Sequence, residues 1–195
     1  MKNWLLLGAF VFGIASSGVA QNAELTEFNR QKAQTSKRSM YALGGWAVAN
    51  FAVSGAMVGY SSGSEKYFHQ MNITWNVVNA GLAGLGLLGS RKEKYDKTPL
   101  QSVNAIHNSE KIYLLNAGLD VGYIFGGLYM TELANGHPDR EDMFRGFGQS
   151  IILQGSFLLV LDSVMYFIYK GQRKNKLQPI LENLDIGLTG FRLRF

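Results

Sequence analysis

Four long stretches of the chain are almost free of charged residues, and each is long enough to form a membrane-spanning helix. They cover residues 39–60, 67–89, 112–131 and 146–169. An α-helix rises about 1.5 Å per residue, so about 20 apolar residues cross a hydrocarbon core of about 30 Å. A soluble four-helix bundle would instead carry a charged face on each helix. The pattern predicts an all-α integral membrane four-helix bundle built from two helical hairpins.

The segments between these stretches carry turn and helix-capping signals. Residues 61–64, Ser-Ser-Gly-Ser, predict a tight turn in which Ser64 is the N-cap of the second span. A charged loop at 91–97 separates the two hairpins. Thr98 followed by Pro99 predicts the start of the third helix, because proline is favoured at the first helical position.

The N-terminus has the three regions of a secretory signal peptide. Lys2 supplies positive charge, residues 4–15 form a short apolar run, and Gly18 and Ala20 are small residues before the cleavage position. Cleavage would make Gln21 the first residue of the mature chain, and an uncleaved anchor is the alternative. Both interpretations predict export into the cell envelope of a bacterium.

The C-terminal segment differs in pattern from the four spans. Residues 185–195 alternate polar and apolar side chains and end in Phe195, as in the closing strand of an outer-membrane barrel. One strand cannot close a barrel, so we favour a surface tail whose arginines contact phosphates. The predicted organisation is a signal peptide at 1–20, a four-transmembrane-helix domain at 21–171 and a polar or amphipathic tail at 172–195.

Basic residues are concentrated at one end of the predicted helices. Segments 30–38, 91–97 and 170–176 each contain four Lys or Arg residues, whereas the turns at the other end contain fewer. The positive-inside rule then places both termini in the cytoplasm, and a cleaved signal peptide places them outside. The orientation stays open, and we favour the inner membrane over the outer membrane.

Each predicted span carries polar side chains near its middle, where an unpaired polar group is unfavourable. Asn72, Asn76 and Asn79 fall on one helical face, as do Asn116 and Asp120. The four helices are predicted to direct these groups inward at similar depth. The resulting intramembrane polar cluster consists of Asn50, Asn72, Asn76, Asn79, Asn116, Asp120, Gln154 and Asp162.

Three interpretations of this cluster stay open. We favour hydrogen-bonding contacts between helices, which contribute about 0.6 kcal/mol each on average. A proton or cation site is the second, because hard cations bind carboxylate and amide oxygens. A pocket for a lipid or hydrophobic ligand is the third.

Glycines recur at four-residue spacing on two of the spans. Gly55 and Gly59 lie on the first span, and Gly118, Gly122 and Gly126 lie on the third. Such stripes let helix backbones approach closely, so they predict helix packing within one subunit or between subunits.

Composition excludes several kinds of function. The chain has no cysteine, which rules out disulfides and thiolate metal sites. Its net charge of +5 arises at the ends of the spans, where basic residues contact lipid phosphates rather than nucleic acid. The three histidines are not at metal-ligand spacing, and no nucleophile or phosphate-binding motif occurs. We expect no enzymatic activity, no cofactor and no metal.

Segments of both hairpins resemble a known family. They are 43–50 (LGGWAVAN), 67–72 (YFHQMN) and 75–79 (WNVVN), followed by 145–148 (RGFG) and by Gln154, Gly155 and Asp162. In these segments the chain resembles an uncharacterised family of small four-span membrane proteins of Bacteroidota, over residues from about 28 to 170. The resemblance implies a fold and an envelope location but no activity. The positions that it marks for testing are Trp46, Asn50, His69, Asn72, Asn76, Asn79, Gln154 and Asp162.

These observations predict a non-enzymatic integral membrane protein of the bacterial cell envelope, with a structural or assembly role. The expected partners are membrane lipids and a second copy of the chain or an envelope protein. The alternative function is a small proton- or cation-coupled transporter that acts as an oligomer through Asp120 and Asp162, because ion pathways usually need more than four helices.

Overall fold

A computed structural model describes residues 3–189 of the chain, with side chains for residues 22–183. All the secondary structure in this part of the chain is helical. The helices are α1 (Asn3–Met57), α2 (Gly63–Ser90), α3 (Pro99–Leu133), α4 (Glu141–Gln172) and α5 (Gln178–Thr189). Two 3-10 turns (Ala134–Gly136 and Pro138–Arg140) connect α3 to α4, and a π-helical turn (Arg173–Leu177) continues α4 into α5. Three of the predicted spans lie within α2, α3 and α4, and the first lies in α1 except for residues 58–60, which belong to the turn after it. The predicted all-α class is confirmed.

The starts of α2 and α3 test the capping predictions. At α3, the backbone N–H of Gln101 donates to the Thr98 hydroxyl (3.3 Å) and Thr98 N–H donates to Gln101 Oε1 (3.0 Å), so the predicted start is confirmed. At α2 the prediction of Ser64 as N-cap is wrong. Gly63 adopts a φ of +55°, which glycine takes without steric penalty, and the turn therefore leaves Ser62 at the N-cap position.

Close approach of the two hairpins depends on glycines of α4. Helices α1 and α2 pack as one hairpin, α3 and α4 as the other, and α2 lies against α4. A Cβ atom added at Gly146 would overlap the Ser64 carbonyl oxygen and lie 2.7 Å from the Phe68 nitrogen, both in α2. One added at Gly148 would lie 2.6 Å from the carbonyl oxygen of Gly127 in α3. Glycine at these positions lets α4 contact both neighbours at backbone distance.

The glycine stripes that the spacing singles out lie elsewhere. A Cβ atom added at any of them would meet nothing within 4 Å, so none of them faces another helix in the described part of the chain. The spacing leaves packing within one subunit or between subunits open. Because these glycines face outward, packing between subunits is the alternative that stays a prediction. The glycines concerned are Gly55, Gly59, Gly118, Gly122 and Gly126.

The three basic segments meet at one end of the bundle, as predicted. Arg173 Nε donates to Glu110 Oε1 (2.6 Å), which ties the end of α4 to α3. Lys32 of α1 is buried and lies 4.0 Å from Glu93 in the loop after α2. Burial lowers the pKa of the Lys32 ammonium, and the Glu93 carboxylate opposes that shift. An apolar cluster that includes Leu25, Phe28, Ile106, Tyr169 and Leu177 fills the interior of this end.

The two termini of the chain bear on two predictions. The suggested strand at 185–195 is wrong for 185–189, because those residues belong to α5; residues 190–195 lie outside the described ones. The predicted signal peptide, 1–20, falls on residues whose side chains are not described, with the α1 backbone helical from Asn3.

Length and hydropathy identify one segment in the described part of the chain that could cross a membrane, Pro138–Asn183. Amides, glycines and tryptophans in the other three predicted spans reduce their hydropathy. Whether these three segments suit a membrane therefore depends on which of their side chains point into the bundle and which point outward.

Candidate functional site

Gln154 of α4 is the centre of a buried amide network that joins three helices. Its side chain is fully buried, and its Oε1 accepts hydrogen bonds from Trp46 Nε1 (2.8 Å) and Asn79 Nδ2 (3.4 Å). Its Nε2 donates to Asn72 Oδ1 (2.8 Å) and to Asn50 Oδ1 (3.3 Å). One side chain thus connects α4 to two residues of α1 and two of α2.

The asparagines around Gln154 also form hydrogen bonds with one another and with Ser150. Ser150 Oγ donates to Asn72 Oδ1 at 2.8 Å, and Asn79 Nδ2 also lies 3.1 Å from Asn76 Oδ1. The amide of Asn76 donates to the Asn72 carbonyl oxygen one turn earlier in α2. The Trp46 indole, held by its bond to Gln154, stacks on Phe157 with ring centroids 4.0 Å apart. A network with so many internal partners is suited to fixing helix positions.

A separate cavity of about 500 Å³ lies beside this network, with walls from all four long helices. At one end, Trp75 of α2 meets Tyr123 of α3 edge to face, with centroids 5.0 Å apart. At the other end, Ser39 Oγ and Tyr113 Oη share a hydrogen bond of 2.8 Å. From Ile112 to Tyr123 the α3 wall extends about 16 Å along the helix axis, at about 1.5 Å per residue.

Two carboxyl groups border the cavity between its ends. Asp120 of α3 and Asp162 of α4 are 3% and 6% exposed, line the same cavity and interact electrostatically with each other. Asn116, one turn before Asp120 on α3, lines the same cavity. Asp120 Oδ2 is buried without a hydrogen-bond partner, and neither carboxylate forms an ion pair within residues 22–183. Two like charges so close together require a proton or a cation to offset their repulsion.

The structure divides the predicted polar cluster into two sites. Asn50, Asn72, Asn76, Asn79 and Gln154 form the amide network. The remaining three, on α3 and α4, form the carboxyl site at the cavity wall: Asn116, Asp120 and Asp162. Asn79 is the one predicted residue that belongs to the network and also lines the cavity.

Sequence reasoning missed Ser150 as a network member and did not assign Trp46 its hydrogen bond. Ser150 lies four residues before Gln154, on the same face of α4, and that spacing was the available signal. His69 is held by Ser54, with 3.1 Å between its Nδ1 and the serine Oγ. Among the described side chains, no group of three or more His, Cys, Asp or Glu is placed to hold a metal ion.

Comparison with known proteins gives a family and no function. No curated protein and no solved structure matches the chain. Residues 42–163, which are more than half of the chain and contain both the amide network and the carboxyl site, match a family whose description is "Family of unknown function (DUF6992)". The chain therefore belongs to this family of unknown function, DUF6992.

Proposed function

We propose that the chain is a non-enzymatic, multi-pass integral membrane protein of the bacterial cell envelope. One observation carries the proposal: the middle of the bundle is polar inside and apolar outside. Among the described side chains, buried polar or charged residues outnumber buried hydrophobic ones. Every long helix presents large apolar side chains outward, among them Val53 (60% exposed), Leu85 (70%), Phe125 (66%) and Phe167 (65%). In water such a surface is unfavourable, and in lipid it is the expected arrangement.

The basic end supports the same placement. There an apolar cluster fills most of the interior, and Asn29 and Ser102 are buried as a hydrogen-bonded pair. The buried charged groups Lys32 and Glu110 lie in ion pairs, as in a protein domain surrounded by water. A chain with one water-adapted end and one lipid-adapted middle fits a bundle that crosses the bilayer and extends beyond it.

Cysteine labelling tests four-span insertion, and the cysteine-free chain provides the background control. We expect single cysteines at Ser90 and Asn175, both at the basic end, to react alike with a membrane-impermeant maleimide in intact cells. A cysteine at Asn135, in the turn between α3 and α4, is expected to show the opposite reactivity, because an odd number of spans separates it from each of them.

Either orientation agrees with four spans, and the labelled end fixes the sidedness. Labelling at Ser90 and Asn175 would support a cleaved signal peptide, with the basic end outside the cytoplasm. Labelling of that pair only after lysis would place the basic end in the cytoplasm, in agreement with the positive-inside rule. Equal reactivity of all three cysteines in intact cells would contradict a four-span bundle.

Within the membrane we propose a structural or assembly role, supported by the amide network and by the outward-facing glycines. The network fixes α1, α2 and α4 relative to one another, and the glycine stripe on α3 is left open for another helix. A second copy of the chain or an envelope protein would pack there, with lipid around the remaining surface.

A second candidate function, proton- or cation-coupled transport by an oligomer, is favoured by one observation. Asp120 and Asp162 do not join the amide network and border a cavity instead. If they are only structural, Asp120→Asn is expected to change the melting temperature little, since an amide still forms hydrogen bonds. If they carry a proton or ion, the same variant is expected to abolish the pH-driven flux of protons or cations into proteoliposomes while the fold persists.

The double variant Asp120→Asn with Asp162→Asn gives the decisive flux measurement. Asp96→Asn is the matched control, because Asp96 is exposed in the loop between α2 and α3. Unchanged pH-driven flux in the double variant would contradict transport through this pair.

A further inference from the structure

We propose that the cavity that opens between α2 and α3 binds a lipophilic organic cation, with its charge at Asp120 and Asp162. The inference rests on the proposed insertion of the bundle in a membrane and adds a ligand class to the carboxyl site. Three features of the cavity carry it: its acidic wall, its aromatic ends and its apolar mouth.

The acidic wall indicates that the ligand is positively charged. Asp120 is 3% exposed, borders the cavity and has one carboxylate oxygen without any hydrogen-bond partner among the described residues. No Lys, Arg or His lines the described cavity, so the protein itself offers no counter-ion there. A buried carboxylate pair is strongly unfavourable unless positive charge offsets it, and a bound cation would supply that charge.

The aromatic side chains favour an organic cation over a bare metal ion. Trp75 and Tyr123 meet at one end of the cavity, and Tyr123 lies one helical turn from Asp120. Aromatic faces attract cations, and the attraction is largest where water is excluded. A metal ion would require more oxygen ligands than this wall provides, because hard cations such as calcium take six to eight oxygen atoms.

The mouth of the cavity indicates that the ligand is lipophilic. Val78, Leu82, Ile112 and Leu119 line the cavity and are also exposed on the outer surface, between α2 and α3. This surface faces the acyl chains if the bundle spans a bilayer. A volume of about 500 Å³ lies within the usual range for small-molecule pockets, so a compact cation with apolar substituents fits it.

Equilibrium dialysis with tetraphenylphosphonium tests the assignment on the full chain in neutral-detergent micelles. Tetraphenylborate, which has nearly the same shape and the opposite charge, is the matched probe. We expect saturable binding of the phosphonium and none of the borate. We expect phosphonium binding to be at least about tenfold weaker in Asp120→Asn and in Asp162→Asn, because each variant removes one negative charge from the site. The control Asp96→Asn is expected to bind as the natural chain does.

A protection experiment tests the same site with both carboxyl groups in place. Val78 lines the cavity and is 59% exposed, whereas its neighbour Val77 is 60% exposed and does not line it. A cysteine at position 78 is expected to lose most of its reactivity with N-ethylmaleimide when tetraphenylphosphonium saturates the site. A cysteine at position 77 is expected to keep its reactivity.

Three results would overturn the assignment. They are no phosphonium binding by the natural chain, equal protection of Val78→Cys by the borate, and equal protection of the two cysteines. Equal protection by the borate would point to an uncharged lipid chain as the occupant. These failures are distinct from failure of the proposed function, because the labelling of Ser90, Asn135 and Asn175 and the pH-driven flux do not involve the phosphonium.

Discussion

Replacing Gln154 by leucine is expected to lower the free energy of unfolding by about 2–4 kcal/mol. Leucine has nearly the volume of glutamine, so packing changes little, but four side-chain hydrogen bonds to α1 and α2 are lost. Each interhelical bond contributes about 0.6–1 kcal/mol, and the Trp46 indole N–H is left without its acceptor. Thermal unfolding in detergent micelles, followed by circular dichroism, measures the change.

Gln149→Leu is the matched control for this variant. Gln149 lies on the same helix and is exposed, so the same chemical change is expected to alter stability by no more than about 0.5 kcal/mol. A stability loss in Gln149→Leu as large as that in Gln154→Leu would contradict the special role of the network.

A double variant tests whether the network acts as a unit. Trp46→Phe keeps an aromatic ring against Phe157 and removes the N–H that Gln154 accepts. In combination with Gln154→Leu, its effect is expected to be smaller than in the natural chain, because no partner is left to lose. Strict additivity of the two changes would show that the bond between Trp46 and Gln154 contributes nothing.

Local rules were sufficient to predict several parts of the fold. Charge-free stretches located the four helices of the bundle, and the Thr98 capping box located the start of α3. These features depend on residues close in sequence, so spacing alone identifies them. Ser64 failed as an N-cap for a related reason: Ser62, Ser64 and the glycine between them offer two alternative caps, and only the Gly63 backbone angle selects one.

Contacts between helices were less predictable, because spacing shows which residues share a face and not what that face meets. Asn72, Asn76 and Asn79 were correctly placed on one face of α2, but Asp120 of α3 faces a cavity and not that network. The rotation of α3 about its axis decides this, and no local pattern records it. Hydropathy has the same limitation, since it sums the inward amides and the outward apolar residues of one helix.

The glycines show this limitation most clearly, and they give the second large prediction. Gly146→Ala is expected to lower the free energy of unfolding by about 3 kcal/mol, because the new methyl group would overlap the backbone of Ser64 and Phe68 in α2. Backbone atoms of a packed helix cannot turn aside as a flexible side chain can, so α2 and α4 would have to separate.

Gly171→Ala, also on α4, is the control with the opposite expected sign. Nothing lies within 4 Å of a Cβ atom added there, so alanine keeps its higher helix propensity and raises stability by about 0.5–1 kcal/mol. Melting temperatures of the two variants in the same detergent provide the comparison. If both alanines raised the melting temperature, α2 and α4 would not be in backbone contact at Gly146. The close packing of α4 against α2 described above would then be wrong, and that packing is what brings Gln154 within hydrogen-bonding distance of Asn72.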